Sequence, residues 1–287
     1  MLVLSACGTT PAAQGPITRA TPAPSATGGA TPKATALRSP ARGAQDAIPG
    51  PAGMTLSQEI GAVMMVGFSG PLTPAILADW RLRQYGGLII LPENRNATSA
   101  SGFRQLIQEI RAAAGHTLLA ATSQPDSSSG LRSLGFDVNL APVAEARDVA
   151  GAIAAIHAAG MYAVIGAFPG DARAFRAAIG AQVEFVMVRH ATDPQAAAIQ
   201  TLRQEFGFHG VAISDDLLGE ASATPPPLAA VRFLAAGGDM VMITHDLIVA
   251  DATENALHAA VLDGTYPRAQ LDASVQKLLN LSLKFMP

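Results

Sequence analysis

Polar residues that can bind or react stand directly after the apolar runs of this sequence. The residues that end such a run are Asn94, Glu145, Asp171, His190, Asp215, Asp216 and His245. If the runs are parallel strands, their carboxyl ends meet at one rim of a sheet or barrel, and these side chains converge there. Asp and Ser also cap helices that follow strands, so a single case means little. Several cases together predict a site built from carboxylates, amides and imidazoles.

Asp215 is the candidate in this set whose position most clearly suggests a catalytic role. The sequence Gly-Val-Ala-Ile-Ser-Asp-Asp-Leu over 210–217 places its carboxylate at the end of a buried strand. A carboxylate held on a rigid strand suits a nucleophile, and capping of the next helix by Asp215 or Asp216 is an equally open alternative. For His190, a structural hydrogen bond and a ligand contact are equally open, and His245 is interpreted as structural. The six histidines show no His-x-x-x-His spacing, so the sequence predicts no metal site and no cofactor.

Eight apolar, β-leaning runs alternate with helix-patterned stretches after residue 54. The predicted strands are 62–68, 87–91, 117–122, 136–143, 162–169, 183–190, 210–215 and 240–245. The predicted helices are 73–83, 100–114, 148–159, 193–206, 228–236, 250–262 and 267–284. Continuous apolar strands that alternate with helices indicate a parallel sheet covered on both faces. Eight such units over about 230 residues predict an α/β fold, a (β/α)8 barrel of the TIM type, with a doubly wound sheet as the alternative. No Gly-x-Gly-x-x-Gly follows the first strand, so nothing supports dinucleotide binding.

Composition excludes several classes of protein. The net charge is −3 and only 14% of the residues are charged, so a nucleic-acid partner bound through phosphate neutralisation is not expected. A single cysteine excludes an internal disulfide and a cysteine-based zinc site. Apolar residues make up 49% of the chain, which is enough for a sizeable core.

The amino-terminal part differs in composition from the rest. Residues 9–53 are almost all Thr, Pro, Ala, Ser and Gly, which predicts a disordered tether. Ahead of it, Leu-Ser-Ala-Cys at 4–7 resembles a bacterial lipobox, and Cys7 is the sole cysteine. We therefore expect residues 1–53 to be a lipobox remnant and linker, with residues 54–287 as the folded domain. A lipid on Cys7 would make the chain an extracytoplasmic lipoprotein anchored to the membrane, whereas the alternative is a stray cysteine in a tail.

Ordered motifs along residues 54–287 resemble glycoside hydrolase family 3, near its β-N-acetylhexosaminidase branch. The segment 203–217, Arg-Gln-Glu-Phe-Gly-Phe-His-Gly-Val-Ala-Ile-Ser-Asp-Asp-Leu, is a close match to the family's nucleophile segment. Weaker matches in the family's order are 56–61, 64–68, 85–91 with Asn94 and Asn96, 134–143, 168–170, 186–190 and 235–240. The resemblance implies retaining hydrolysis of O-glycosyl bonds in cell-wall or other extracellular carbohydrate, of the β-N-acetylhexosaminidase or β-glucosidase type, with Asp215 as nucleophile. The residues expected to contact the sugar are His190, Asn94, Glu145 and Asp216.

Other family residues have no counterpart here. Thr-Ser-Gln-Pro-Asp at 122–126 stands where the family has Asp-Gln-Glu-Gly-Gly, and Gly166-Ala167 replaces the Lys-His before Phe-Pro-Gly. The loop that carries the branch's His-Asp proton donor is absent, because Asp171 runs straight into a helix pattern. Two interpretations stay open: a diverged glycosidase in which Asp171 or Glu145 donates the proton, or an inactive glycan-binding or scaffold protein. A barrel for phosphorylated substrates is disfavoured, because no glycine follows the eighth strand at 244–246.

Overall fold

Eight parallel strands pair in chain order, and the last pairs with the first to close a barrel. The structure, a computed structural model, describes residues 50–123, 127–140, 143, 146–189, 195–219 and 224–282. The strands are β1 (Met64–Val66), β2 (Gly87–Ile89), β3 (Leu119–Thr122), β4 (Val138–Asn139), β5 (Tyr162–Phe168), β6 (Phe185–Val188), β7 (Val211–Asp216) and β8 (Met240–Ile243). The predicted TIM-type barrel is confirmed, and the doubly wound alternative is wrong.

Helices occupy the connections between the strands. They are α1 (Leu56–Ala62), α2 (Pro74–Arg83), α3 (Ala100–Ala114), α4 (Ser128–Ser133), α5 (Val149–Ala158), α6 (Ala172–Gly180), α7 (Gln195–Gln200), α8 (Pro226–Ala235), α9 (Leu247–Asp263) and α10 (Arg268–Ser282). A π-helical turn, Thr201–Glu205, continues α7. The apolar pattern predicts no helix at α4, because its Ser- and Gly-rich sequence has no helical periodicity. Across the described residues, no helix has both the length and the apolar character needed to cross a membrane.

Several sequence predictions fall outside the described residues. The chain divides into two units, Met1–Ala41 and Arg42–Pro287, and every described residue belongs to the second. Cys7, most of the predicted tether, Glu145 and His190 lie outside the described ranges. The domain boundary at residues 53 and 54 and the roles of these three side chains therefore stay predictions.

Side chains directly before seven of the helices set where those helices begin. Each of these side chains accepts a hydrogen bond from a backbone N–H in the first turn, which satisfies a donor that the helix itself cannot pair. The capping residues are Thr55, Thr73, Ser99, Ser127, Asp148, Asp171 and Asp246. Asp171, a residue of the predicted polar rim, therefore has a structural task in addition to any chemical one.

Three carboxylates fasten the amino-terminal end of the barrel, and we call Asp137, Glu184 and Asp239 the amino-rim carboxylates. Each directly precedes an even-numbered strand and accepts a hydrogen bond from the second residue of the strand before it. These bonds run from Ala120 N to Asp137 Oδ2 at 2.9 Å, from Ala163 N to Glu184 Oε2 at 3.0 Å and from Ala212 N to Asp239 Oδ2 at 2.8 Å. The same contact thus recurs at β3–β4, β5–β6 and β7–β8.

Cationic or titratable side chains from the helices face each amino-rim carboxylate. Asp137 pairs with Arg111 and Arg132, Glu184 pairs with His157, and Asp239 pairs with Arg203 and Lys277. Glu184 and Asp239 are 5% and 2% exposed. A buried carboxylate costs several kcal/mol unless it is paired and hydrogen-bonded, so these contacts hold helices to the barrel as well as strands to each other.

Gly67, directly after β1, allows a close approach of three backbones at the opposite, carboxyl-terminal rim. A Cβ at this position would lie 2.1 Å from Thr244 O and 2.7 Å from Ile89 O. We expect Gly67→Ala to lower the free energy of unfolding by about 1–3 kcal/mol, because the ends of β2 and β8 must move apart. Gly180→Ala is the matched control, since a Cβ there meets nothing within 4 Å. Urea unfolding of both variants measures the effect, and equal stabilities would contradict it.

His116, between α3 and β3, makes stability depend on pH. Burial lowers the pKa of this imidazole from its ordinary value of 6.5. Nδ1 contacts Ala114 O at 3.2 Å, and the buried Nε2 has no hydrogen-bond partner among the described residues. The unfolded chain therefore binds this proton more readily, so the contribution is present above pH 6.5 and is lost as the pH falls below it.

The pH dependence of thermal unfolding measures this contribution. We expect His116→Gln to reduce the fall in Tm between about pH 7 and pH 5, because the variant has no imidazole to protonate. His209→Gln, which removes an exposed imidazole, is the control and should follow the wild-type curve. Parallel curves for wild type and His116→Gln would show that this buried imidazole does not govern the slope.

Candidate functional site

Four predicted site residues lie at the carboxyl-terminal rim of the barrel. Asp215 and Asp216 end β7, Asp171 follows β5 after two residues, and Asn94 closes the 3-10 turn Pro92–Asn94 after β2. These strand ends face the same side, where the strand-to-helix loops of this fold carry chemistry. The rim is therefore the candidate active site.

A β-bulge gives β7 one residue more than β8 at this rim. The register pairs Ile213 with Met240 and Asp216 with Met242. A bulge interrupts the backbone ladder and re-aims nearby side chains. Here side chains replace the missing acceptors: Met242 N donates to Ser214 Oγ at 3.0 Å, and Thr244 N donates to Asp216 Oδ1 at 3.3 Å. Ser214 and Asp216 thus complete the pairing of β7 with β8.

The bulge separates the tasks of the two adjacent aspartates. Asp216 Oδ1 also accepts from Leu218 N at 3.1 Å, and Asp216 Oδ2 accepts from Thr244 Oγ1 at 2.8 Å. Asp215, half-buried, lies between Ser214 and Asp216 at the bulge itself. The helix-capping interpretation is wrong, because both aspartates belong to β7 and α8 begins ten residues after it with Pro225 as its N-cap. Asp215 is therefore the better candidate nucleophile, and Asp216 positions the end of the strand.

Thr244 joins three strand ends at the rim. This residue is 3% exposed. Its hydroxyl donates to Asp216 Oδ2 and contacts His245 Nδ1 at 2.8 Å, and its carbonyl accepts from Asn94 Nδ2 at 2.7 Å. Sequence reasoning missed this residue, because a lone hydroxyl after a strand gives no signal of its partners.

Asn94 is turned into the protein. It is 1% exposed, and its amide nitrogen is committed to Thr244 O. Its Oδ1 has no hydrogen-bond partner among the described residues, so a sugar contact through Asn94 stays a prediction and would fall on that atom. Asn96 has a similar task, since its Nδ2 donates to Phe68 O at 2.7 Å and to Gly70 O at 2.9 Å. The two amides hold the β1, β2 and β8 exits together.

Asp171 is exposed and caps α6. Its Oδ1 accepts from Arg173 N at 2.9 Å. Because α6 begins at Ala172, a single residue separates Gly170 from the helix, and no loop stands between them. A proton donor in a glycosidase needs a raised pKa, which shielding from water supplies. Asp171 is committed to the helix cap through its Oδ1, and its proton-donor role stays a prediction.

A second concavity lies at the other end of the barrel. A cavity of about 620 Å³ is lined by residues before β6 and β7 and by α10, among them Glu184, Phe208, His209, Lys277 and Asn280. None of the predicted site residues lines it. Within the described ranges, no group of three or more His, Cys, Asp or Glu side chains is arranged to hold a metal ion.

Comparison with known proteins gives a match to one family model and to one curated relative. Residues 167–281 match the model of the glycosyl hydrolase family 3 N terminal domain. Over 130 residues the chain is 31% identical to a beta-N-acetylglucosaminidase/beta-glucosidase from Cellulomonas fimi, covering 37% of this chain and 22% of that relative. The chain thus spans about a fifth of that protein's length.

Solved structures show the same fold at low identity. A family 3 beta-N-acetylglucosaminidase from a Paenibacillus species matches at TM-score 0.71 with 23% identity, covering 80% of this chain and 62% of that one. Beta-N-acetylhexosaminidase from Beutenbergia cavernae matches at TM-score 0.69 with 20% identity, covering 80% and 98%. At these identities the likeness concerns the barrel alone.

Proposed function

We propose that this chain, whose residues 167–281 match the model of the glycosyl hydrolase family 3 N terminal domain, hydrolyses O-glycosyl bonds of carbohydrate by a retaining mechanism with Asp215 as nucleophile. The matched segment contains the rim residues of β5 and β7, and this overlap supports the proposal. N-acetyl-β-glucosaminides are the first substrates to test and β-glucosides the second, since the Cellulomonas fimi relative carries both activities in its name.

One observation carries this proposal. At the end of β7, the bulge engages Ser214 and Asp216 with β8 and holds Asp215 between them on a rigid element. A nucleophile fixed on a strand needs little reorganisation to reach the reacting carbon. Asp216 and Thr244 support that position through two hydrogen bonds.

The reaction follows in two steps. A carboxylate oxygen of Asp215 attacks the anomeric carbon, the bond to the leaving oxygen breaks with its electron pair, and that oxygen takes up a proton. Water then attacks the same carbon, gives a proton to a base and releases Asp215 as a carboxylate, so the product keeps the configuration of the substrate.

Purified protein with aryl glycosides tests the proposal. We expect turnover of 4-methylumbelliferyl N-acetyl-β-D-glucosaminide or of the β-D-glucoside, with the β anomer formed first as measured by NMR. If neither substrate is hydrolysed, the proposed activity is wrong. An α anomer as first product would exclude retention.

A second function is favoured by the short connection after β5. With α6 beginning at Ala172 and Gly166-Ala167 at the end of β5, the exit of this strand has few side chains to hold a sugar. A barrel of this kind can bind wall glycan without cleaving it. Saturable binding of muropeptides by calorimetry, with no turnover of either aryl glycoside, supports this alternative over hydrolysis.

The location of the protein belongs to the same proposal. Cys7 in Leu-Ser-Ala-Cys, followed by the Pro- and Thr-rich stretch, supports lipid attachment and an extracytoplasmic place at the membrane. Labelling of producing cells with a palmitate analogue should mark the wild-type protein and not Cys7→Ser. Equal labelling of both would rule out Cys7 as the anchor.

A further inference from the structure

His245 is held by a chain of two hydrogen bonds that ends on a carboxylate. Thr244 Oγ1 lies 2.8 Å from Asp216 Oδ2 and 2.8 Å from His245 Nδ1. An ionised carboxylate only accepts hydrogen bonds, so the single hydroxyl proton of Thr244 is donated to Asp216. His245 must then donate through Nδ1–H, which leaves Nε2 as the nitrogen that can gain or lose a proton.

The backbone that carries this imidazole is fixed. Asn94 Nδ2 donates to Thr244 O at 2.7 Å, and Gly67 packs against the same carbonyl. Thr244 is buried, whereas His245 is exposed. The ring is thus anchored at one nitrogen next to a rigid strand end, and this exposed residue follows the strand that pairs with the one carrying Asp215.

We propose that His245 exchanges the proton in the reaction at Asp215, an inference that rests on the proposed glycoside hydrolysis. In the first step, Nε2 of the protonated imidazole gives its proton to the leaving oxygen as the bond to the anomeric carbon breaks. In the second, the neutral Nε2 takes a proton from the attacking water as the bond to Asp215 breaks. Over both steps the imidazole returns to its starting state.

Thr244 and Asp216 act through His245 as positioning residues. The Thr244 hydroxyl between Asp216 and Nδ1 fixes the tautomer and the orientation of the ring, as second partners of a histidine commonly do. The other charged residue beside the ring in the chain is Asp246, whose Oδ1 accepts from Ile248 N at 2.8 Å and Val249 N at 3.1 Å at the start of α9. Asp246 is therefore committed to the helix cap, and Asp216 is the carboxylate aligned with the imidazole.

Kinetics with leaving groups of different pKa test the proton transfer. We expect His245→Asn to lower kcat/KM for alkyl or 4-methylumbelliferyl glycosides about 10²–10⁴-fold, and to change it much less for 2,4-dinitrophenyl glycosides, which leave without a proton. The alkaline limb of the pH profile of kcat/KM should disappear with the imidazole. His209→Asn, which removes an exposed histidine at the other end of the barrel, is the matched control and should match wild type.

Two further variants separate this role from a structural one. Thr244→Val keeps the shape of the side chain and breaks the hydrogen-bond chain, so it should reproduce part of the leaving-group effect. Asp171→Asn should leave the leaving-group dependence unchanged. Nitrogen-15 NMR of the imidazole should show Nδ1 protonated in the neutral wild-type ring, with that preference lost in Thr244→Val, and this readout needs no turnover.

The outcomes differ for the two proposals. Absence of wild-type turnover overturns the proposed hydrolysis and this inference with it. Wild-type turnover with unchanged leaving-group dependence in His245→Asn overturns the role of His245 alone. The role of His245 is also overturned if Asp171→Asn, and not His245→Asn, shows the leaving-group effect. It is overturned as well if the neutral wild-type ring is protonated at Nε2 only.

Discussion

Asp215→Asn is expected to reduce kcat/KM for aryl glycosides at least on the order of 10⁴-fold while leaving the fold intact. The carboxamide has nearly the shape of the carboxylate but is a poor nucleophile, so the covalent step is lost. Asp215 is half-buried at the bulge, and the hydrogen bonds that complete the β7–β8 ladder come from its two neighbours. Because the carboxamide keeps the size and shape of the side chain, turnover should fall without a matching fall in Tm.

Trapping of the intermediate identifies the residue directly. A 5-fluoro glycosyl fluoride of the hydrolysed sugar should add one glycosyl unit to the wild-type protein, on the peptide that contains Asp215. Asp263→Asn is the matched control, because this aspartate is fully exposed at the end of α9, and it should label and turn over as wild type does. Full activity in Asp215→Asn would exclude this carboxylate as nucleophile.

Asp239→Asn is expected to destabilise the barrel by about 3–5 kcal/mol, the usual cost of removing one partner from a buried ion pair. Asp239 is 2% exposed and accepts from Ala212 N at 2.8 Å, Ser274 Oγ at 3.2 Å and Lys277 Nζ at 2.8 Å, in addition to its pair with Arg203. A carboxamide cannot satisfy both cations, and its NH₂ group turns a donor toward one of them. For a domain of this size the change lowers Tm by about 10 °C.

The control for this prediction is an ion pair whose carboxylate is exposed. Asp272, whose side chain is 38% exposed, pairs with Arg268 one turn earlier on α10, and Arg268 has a second partner in Glu59. Asp272→Asn should change the free energy of unfolding by less than about 1 kcal/mol, since exposed pairs contribute little. Chemical denaturation measures both variants. A loss below about 1 kcal/mol in Asp239→Asn would mean that the buried cluster is not what holds β7, β8 and α10 together.

The barrel could be predicted from the sequence because its eight strands are continuous apolar runs, which is the pattern of parallel strands covered on both faces. Helix α3 follows its prediction residue for residue, since Ser99 caps its start and Gly115 in the left-handed conformation ends it. Helix α4 escaped prediction because its six residues carry almost no apolar surface. Capping residues and apolar periodicity lie within a few residues of the helix that they predict.

The rim was only partly predictable because its contacts link residues far apart in the chain. Thr244 and Asp216 are 28 positions apart, and Asn94 reaches Thr244 across 150. The bulge that separates the tasks of Asp215 and Asp216 arises from a mismatch between β7 and β8, which neither strand's sequence shows alone. For the same reason the sequence indicates only a structural role for His245. In the structure, the Thr244 hydroxyl contacts the ring and donates to the Asp216 carboxylate.

The amino-rim carboxylates link neighbouring strands independently of the loops at the opposite rim. Each joins an odd strand to the next even strand and pairs with side chains from the helices, so three strand pairs are linked at the end remote from the candidate site. Loops at the other rim can then shorten without loosening these joints. The chain has a near-minimal connection between β5 and α6 and still closes all eight strands. In such a barrel, the loops at the carboxyl-terminal rim can change in length and sequence during evolution while the amino-rim carboxylates keep the strands in place.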